Sequence, residues 1–296
     1  MRAFLWFLAA IAGTLLLAAL LAYPAYAFVH PLVPEWRFDK IATRLWQLLM
    51  LAALVFVVRH LGLTDRRAFG YGAPRPRWLR QFAVGLVAGL ATMLPVTAAL
   101  LALGLRVPRP DLDAPLLGHA LAVGALSGLG VGFLEETFFR GLMLGAISRE
   151  LRRPLLAIAL VSVAYSSVHF LASARIAHEA VSWHSGLDLL AAAGRNFSSP
   201  AGTIDAWLAL AAVGTMLGLC AWWTGSIALG VGLHASWVFL LRATIGATEL
   251  DPNATVAWLV NRDNGYVGWL VCGWTLVLTL AAVALRGRLR AWRRID

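Results

Sequence analysis

The chain has 296 residues, of which 60% are hydrophobic and only 14% are charged, against about 25% charged in a typical globular protein. A soluble core cannot absorb that much apolar surface, so the composition excludes a soluble domain and predicts that most of the chain lies in lipid. Apolar residues dominate throughout and low-complexity tracts are absent, which also excludes an intrinsically disordered protein.

The net charge of +10 would favour nucleic-acid binding in a soluble protein, because basic patches attract phosphates. Here all the basic residues except Lys40 are arginines, and they lie in short tracts between apolar runs. Such tracts are typical of loops that stay in the cytoplasm, so no nucleic-acid partner is expected. Cys220 and Cys272 both lie inside apolar runs, which argues against a disulfide framework and against a thiolate metal site.

Uncharged stretches predict about eight transmembrane helices in chain order, since a helix needs about 20 residues to cross a bilayer. The second stretch is short, so Arg44 and Arg59 are expected to reach the two membrane surfaces from inside its helix. A 36-residue stretch is too long for one helix and predicts two, joined by a turn at 224–226. The stretches are 3–29, 45–58, 81–105, about 124–147, 154–174, 206–241 (two helices) and 264–285.

The arginine tracts also predict orientation. With an even number of spans and both termini in the cytoplasm, the tracts at 59–80, 149–153 and 286–294 all fall on the inner side. The first span ends in a signal-peptide-like triplet at 25–27, but its length and the charge distribution favour retention. The prediction is therefore an all-α polytopic transmembrane helical bundle, one integral-membrane domain over 1–296, in a membrane such as the bacterial inner membrane.

Ionisable residues inside a span cost on the order of 2.5–3.5 kcal/mol each and are functional by default. The fourth span contains Glu135, Glu136 and Arg140 in the segment GVGFLEETFFRGLMLG. Glu136 and Arg140 are four residues apart and are expected to form an ion pair, whereas Glu135 points about 100° away on an α-helix. Glu135 is thus a candidate general base in an apolar cavity.

A packing role is the alternative for this segment. The ion pair would then fix the position of the helix, and glycines at four-residue spacing would let another helix backbone approach closely. These glycines are Gly124, Gly128 and Gly132.

Two histidines lie within other spans. His169 ends a polar stripe that includes Ser162, Tyr165 and Ser166 on the fifth span, and His234 lies on the seventh. With Glu135 they allow two chemistries: a zinc site of two histidines and a glutamate, or metal-free hydrolysis in which Glu135 and His169 activate water and His234 stabilises the oxyanion. No HExxH spacing favours the metal.

These residues resemble the motifs of the CPBP family, the CAAX proteases and bacteriocin-processing enzymes also called the Abi family. Residues 135–140 fit its EExxxR motif, residues 165–169 fit [FY]xxxH, and His234 stands where Hxxx[ND] begins. The resemblance covers about 81–241, which is taken as the catalytic core. It implies an intramembrane endopeptidase in which Glu135 and His169 activate water without a cofactor and His234 stabilises the oxyanion, supported by Glu136, Arg140 and Tyr165.

One position departs from the family pattern. Val238 stands where the third motif has Asn or Asp, so the side chain expected beside the oxyanion cannot donate a hydrogen bond. Loss of one such donor typically lowers the rate by about 10²–10³. Either Ser236, the Trp237 indole or a group from another helix substitutes, or the activity is reduced or absent.

Two functional hypotheses follow. The first is a peptidase that cleaves a membrane-associated peptide or protein with membrane lipid as its surroundings. The alternative, favoured by Val238, is a non-catalytic peptide-binding protein of the same fold, such as an immunity or regulatory partner. A transporter is disfavoured because repeated halves and broken half-helices are not visible in the sequence.

Overall fold

The computed structural model describes residues 1–171, 175–198, 202–262 and 264–291. The described part is almost entirely helical. Its α-helices are α1 Arg2–Val29, α2 Phe38–His60, α3 Arg75–Ala102, α4 Ala114–Glu135, α5 Leu144–Leu151, α6 Pro154–Val168, α7 Ser185–Ser198, α8 Ile204–Thr224, α9 Ala228–Ala247, α10 Trp269–Ala284 and α11 Arg286–Ala291.

Each predicted membrane span contains at least one helix among the described residues, which confirms the all-α polytopic fold. Six helical segments are long and apolar enough to cross a membrane: α1, α2, α3, α8, α9 and the continuous stretch Ala114–Leu151. The helices α6 and α10 are apolar but have only 15 and 16 residues. The short second stretch extends to a 23-residue helix that contains both Arg44 and Arg59, as predicted. Helices α8 and α9 are two separate helices, also as predicted.

Two features were not predicted. Helix α7 lies between the predicted spans 154–174 and 206–241, where no helix was predicted. A two-stranded antiparallel sheet pairs β1 (Arg106–Pro108) with β2 (Thr248–Leu250). Arg106 is buried there and donates hydrogen bonds to Thr248 Oγ1 at 2.6 Å and to the carbonyl of Asn264 at 3.0 Å. Its burial lowers the pKa of Arg106 from the usual value for an arginine.

The described residues group into two compact units. The first comprises Met1–Thr64 and Ser167–Thr203, and the second comprises Asp65–Ser166 and Ile204–Asp296. In the first unit α1 packs against α2 and α7, around a core that includes Tyr26, Phe38 and Ile41.

In the second unit, α9 packs between α3 and α4, which make its most extensive helix contacts. Gly124, Gly128 and Gly132 of α4 lie directly on the α9 backbone: a Cβ on Gly128 would collide with the carbonyl of Ala235, and one on Gly132 would lie 3.1 Å from the carbonyl of Val231. The predicted close helix approach is therefore confirmed, and its partner is α9. This packing brings the carboxyl end of α4 beside His234.

Candidate active site

The backbone changes its winding at the acidic motif. Helix α4 ends at Glu135, the next eight residues (Glu136–Met143) form a π-helix, and α5 resumes at Leu144. π-helical turns are rare and occur frequently at functional sites. The prediction of a continuous α-helix through this segment is wrong for these eight residues.

Glu136 and Arg140 form the predicted ion pair. Arg140 Nη1 lies 2.8 Å from Glu136 Oε1, and both side chains are completely buried. A buried pair is costly to desolvate and needs further partners. Arg140 has two: its Nη2 donates to the carbonyl of Gly214 at 3.4 Å, and its guanidinium lies 4.3 Å from the centre of the Tyr165 ring.

His234 lies between the two glutamates. Its Nδ1 is 3.0 Å from Glu136 Oε1, the same oxygen that accepts from Arg140. An ionised carboxylate only accepts hydrogen bonds, so Nδ1 is the donor. The other ring nitrogen, Nε2, lies 3.8 Å from Glu135 Oε2. Glu135 and Glu136 were expected to contact different residues. They instead contact the two ring nitrogens of the same histidine, His234.

The two carboxylates differ in accessibility. The side chain of Glu136 is fully buried, whereas that of Glu135 is 27% exposed. Glu136 is therefore placed to hold His234, and Glu135 has the more exposed side chain of the two, although its Oε2, which faces His234, is buried.

Tyr165 completes this cluster from α6. It is almost completely buried, its ring meets the His234 ring edge-on with centroids 6.2 Å apart, and its side chain hydrogen-bonds to Glu135. Two serines of the predicted stripe bond to the backbone: Ser162 donates to the carbonyl of Ile158, and Ser166 donates to that of Trp207. Tyr165 contacts Glu135, Arg140 and His234.

Ser236 and Trp237 have hydrogen-bond acceptors on α3. Ser236 Oγ donates to the carbonyl of Leu86 at 2.8 Å, and the Trp237 indole donates to Thr92 Oγ1 at 3.0 Å. Both bonds tie α9 to α3. Val238 is partly buried on the same helix. The contribution of Ser236 or Trp237 to an oxyanion site stays a prediction.

His169 lies in the turn directly after α6 and belongs to the first compact unit, whereas Glu135, Glu136, Arg140 and His234 belong to the second. Its role beside Glu135 stays a prediction. Among the described residues, no group of three or more His, Cys, Asp or Glu side chains is arranged to hold a metal ion.

Two contacts of the acidic motif at 135–140 were not predicted from the sequence. Gly230 faces Glu136 so closely that a Cβ would lie 2.8 Å from Glu136 Oε2. It precedes His234 by four residues and so shares its helical face, which is a signal that the sequence did contain. The second contact joins Tyr71 to the motif, with its hydroxyl 2.7 Å from Thr137 Oγ1, and no residue spacing indicates it.

Comparison with known proteins agrees with the motifs. Residues 117–240 match a family described as Type II CAAX prenyl endopeptidase Rce1-like. The matched segment contains Glu135, Glu136, Arg140, Tyr165, His169 and His234. No curated protein and no solved structure matches the chain.

Proposed function

Because residues 117–240 carry a Rce1-like type II CAAX prenyl endopeptidase domain of the CPBP family, we propose that this protein is an intramembrane endopeptidase. It hydrolyses a peptide bond in a membrane-associated peptide or protein. The observation that best supports the proposal is the contact of the His234 imidazole with both Glu135 and Glu136.

In the proposed reaction, Glu135 accepts a proton from water and the resulting hydroxide attacks the carbonyl carbon of the scissile bond. Glu135 suits this role because its side chain is the more exposed of the pair, and Tyr165 hydrogen-bonds to it. By resemblance to the family, His169 assists in activating the water. The attack converts the carbonyl oxygen into an oxyanion.

His234 stabilises that oxyanion. Its Nδ1–H is bonded to Glu136, which fixes the ring so that Nε2 faces the side of Glu135. When Nε2 also carries a proton, it donates a hydrogen bond to the oxyanion. The carbon–nitrogen bond then breaks, and Glu135 returns its proton to the leaving amine. The products are a new carboxylate and a new amine terminus.

Arg140 acts through Glu136. An uncompensated carboxylate would be strongly disfavoured in this buried position, and the Arg140 guanidinium supplies the opposite charge at 2.8 Å. The same Glu136 oxygen also accepts the hydrogen bond from His234. Arg140 is thus a positioning residue.

A non-catalytic peptide-binding protein is the second candidate. It is favoured by Val238 and by the hydrogen bonds that Ser236 and Trp237 make to α3, since these leave the oxyanion region short of donors on α9. A binding protein of this kind retains its biological effect after Glu135→Gln, whereas the peptidase loses it.

The test uses the full chain in proteoliposomes with a peptide that carries a fluorophore and a quencher. Glu135→Gln and His169→Ala are expected to lower cleavage by about 10² or more. Glu249→Gln and His184→Ala make the same changes at exposed positions and should cleave like wild type. Wild-type rates in both site variants would refute the assignment.

A further inference from the structure

The second compact unit contains a basic cavity at the start of α3. Its volume is about 250 Å³, and it is lined by Arg66, Tyr71, Ala73, Arg75, Trp78 and Leu79. The two arginines are exposed, and among the described residues neither makes an ion pair with a carboxylate. The nearest acid in the chain, Asp65, uses Oδ1 to accept a hydrogen bond from the backbone N–H of Ala68. The cavity is therefore positively charged.

The charge continues along the chain around the cavity. The segment 65–80 contains five arginines and one acid, and this tract is predicted to face the cytoplasm. Arg75 is the first residue of α3, so the positive end of a 28-residue helix dipole adds to the field at the cavity. The arginines are Arg66, Arg67, Arg75, Arg77 and Arg80.

Two of the lining residues, Tyr71 and Trp78, are aromatic. Tyr71 stacks on Trp78 with ring centroids 5.8 Å apart, and Trp78 stacks in turn on Phe82 and Phe133. The indole N–H of Trp78 has no hydrogen-bond acceptor among the described residues. Tryptophan and arginine at the end of a membrane helix are typical of the headgroup layer, where one side of a ring meets hydrocarbon and the other meets polar groups.

We infer that this cavity binds the phosphate of an anionic lipid headgroup. Guanidinium groups form strong, charge-assisted hydrogen bonds with phosphate oxygens, and two of them flank the cavity. The stack of Trp78, Phe82 and Phe133 offers an apolar surface to the acyl chains next to that phosphate. A free phosphate ion gains only the first of these interactions, so a lipid is the better fit.

The cavity is connected to the acidic motif. Tyr71 lines it and also holds Thr137, two residues beyond Glu135. Phe133, the last ring of the stack, lies two residues before Glu135. A headgroup that immobilises Tyr71 and Trp78 therefore restrains the backbone on both sides of Glu135. The binding itself does not depend on whether the protein is a peptidase.

The test is a native mass-spectrometry titration of the purified full chain with phosphatidylglycerol and with phosphatidylcholine. Wild type is expected to prefer phosphatidylglycerol, and the double variant Arg66→Gln/Arg75→Gln to bind it about 30-fold more weakly. Arg286→Gln/Arg288→Gln removes the same charge from exposed positions on α11 and should bind like wild type. Thermal unfolding of both double variants reports whether each is folded.

Three results would overturn the inference. An equal loss of binding in the two double variants would indicate general surface attraction. Equal binding of the two lipids by wild type would show that the negative charge of the headgroup does not determine binding. Inorganic phosphate that binds as tightly as phosphatidylglycerol would identify a free anion, and not a lipid, as the ligand.

Discussion

Glu136 Oε1 accepts hydrogen bonds from both His234 Nδ1, at 3.0 Å, and Arg140 Nη1, at 2.8 Å. One buried oxygen thus joins Glu136, directly after α4, to His234 on α9. The two residues are 98 positions apart in the chain. Substitution of Glu136 is therefore expected to lower both the stability and the activity of the protein.

Glu136→Gln should destabilise the protein by about 3–5 kcal/mol, because it leaves the Arg140 charge buried without a counterion. Removing both charges, as in Glu136→Gln/Arg140→Met, should recover most of that loss, since replacing a buried pair by neutral groups is often close to neutral. Activity should stay low in both variants, because His234 loses its carboxylate partner. Denaturant unfolding in detergent micelles measures the stabilities. Equal stability of wild type and the single variant would contradict the account.

Gly128→Ala should separate α4 from α9. Its Cβ would collide with the carbonyl of Ala235 and would lie 3.2 Å from the backbone nitrogen of Phe239. Overpacking of this kind costs about 1–3 kcal/mol, and movement of α9 would carry His234 away from the glutamates. Thermal unfolding and peptide cleavage are the measurements.

Gly130→Ala is the matched control on the same helix, because a Cβ there meets nothing within 4 Å. It should be neutral or slightly stabilising, since alanine favours the helix. If the two alanine variants behave alike, glycine packing does not position the site.

The positions of the helices could be predicted from the sequence because the bilayer sets the length of an uncharged run. The same rule explains why α7 was not predicted. It contains Asp188 and Arg195, and its 14 residues are too few to span a membrane. The two-stranded sheet was also missed. It joins strands that are far apart in the chain, and the burial of Arg106 depends on that pairing.

One contact of the candidate site could be predicted from the spacing of residues along a helix. Residues four apart meet on one helix, which predicted the pair of Glu136 and Arg140. The contact between Glu136 and His234 depends on α4 lying against α9, and Gly230 and the α4 glycines permit it. Spacing within one helix carries no information on such a contact. The π-helix at 136–143 likewise has no signature in the hydrophobic pattern.

Tyr71→Phe should weaken the anchoring of the motif while it keeps the aromatic stack. The variant loses the 2.7 Å hydrogen bond to Thr137, which is worth about 0.5–1.5 kcal/mol. A small fall in thermal stability and in cleavage rate is expected. Tyr23→Phe, a matched change in the first compact unit, should alter neither quantity. A cleavage rate in Tyr71→Phe equal to that of wild type would show that this contact does not support the motif.

Metal removal should leave turnover unchanged, because the proposed reaction uses Glu135 to activate water. Purified protein is treated with a strong zinc chelator, and its metal content and cleavage rate are measured together. Stoichiometric zinc in the active protein, with activity lost on chelation and restored by zinc, would replace the metal-free reaction with a zinc-dependent one.

In the proposed reaction, Glu135 activates a water molecule that cuts a bound peptide. The most direct measurement is a single-turnover reaction in ¹⁸O-labelled water, with the peptide at saturating concentration, binding followed in parallel and the products analysed by mass spectrometry. Wild type is expected to release two fragments with one ¹⁸O atom in the new carboxylate. Glu135→Gln is expected to bind the peptide equally well but to release about 10² times less product. Binding without fragments in wild type, or equal cleavage by Glu135→Gln, would contradict the proposed reaction.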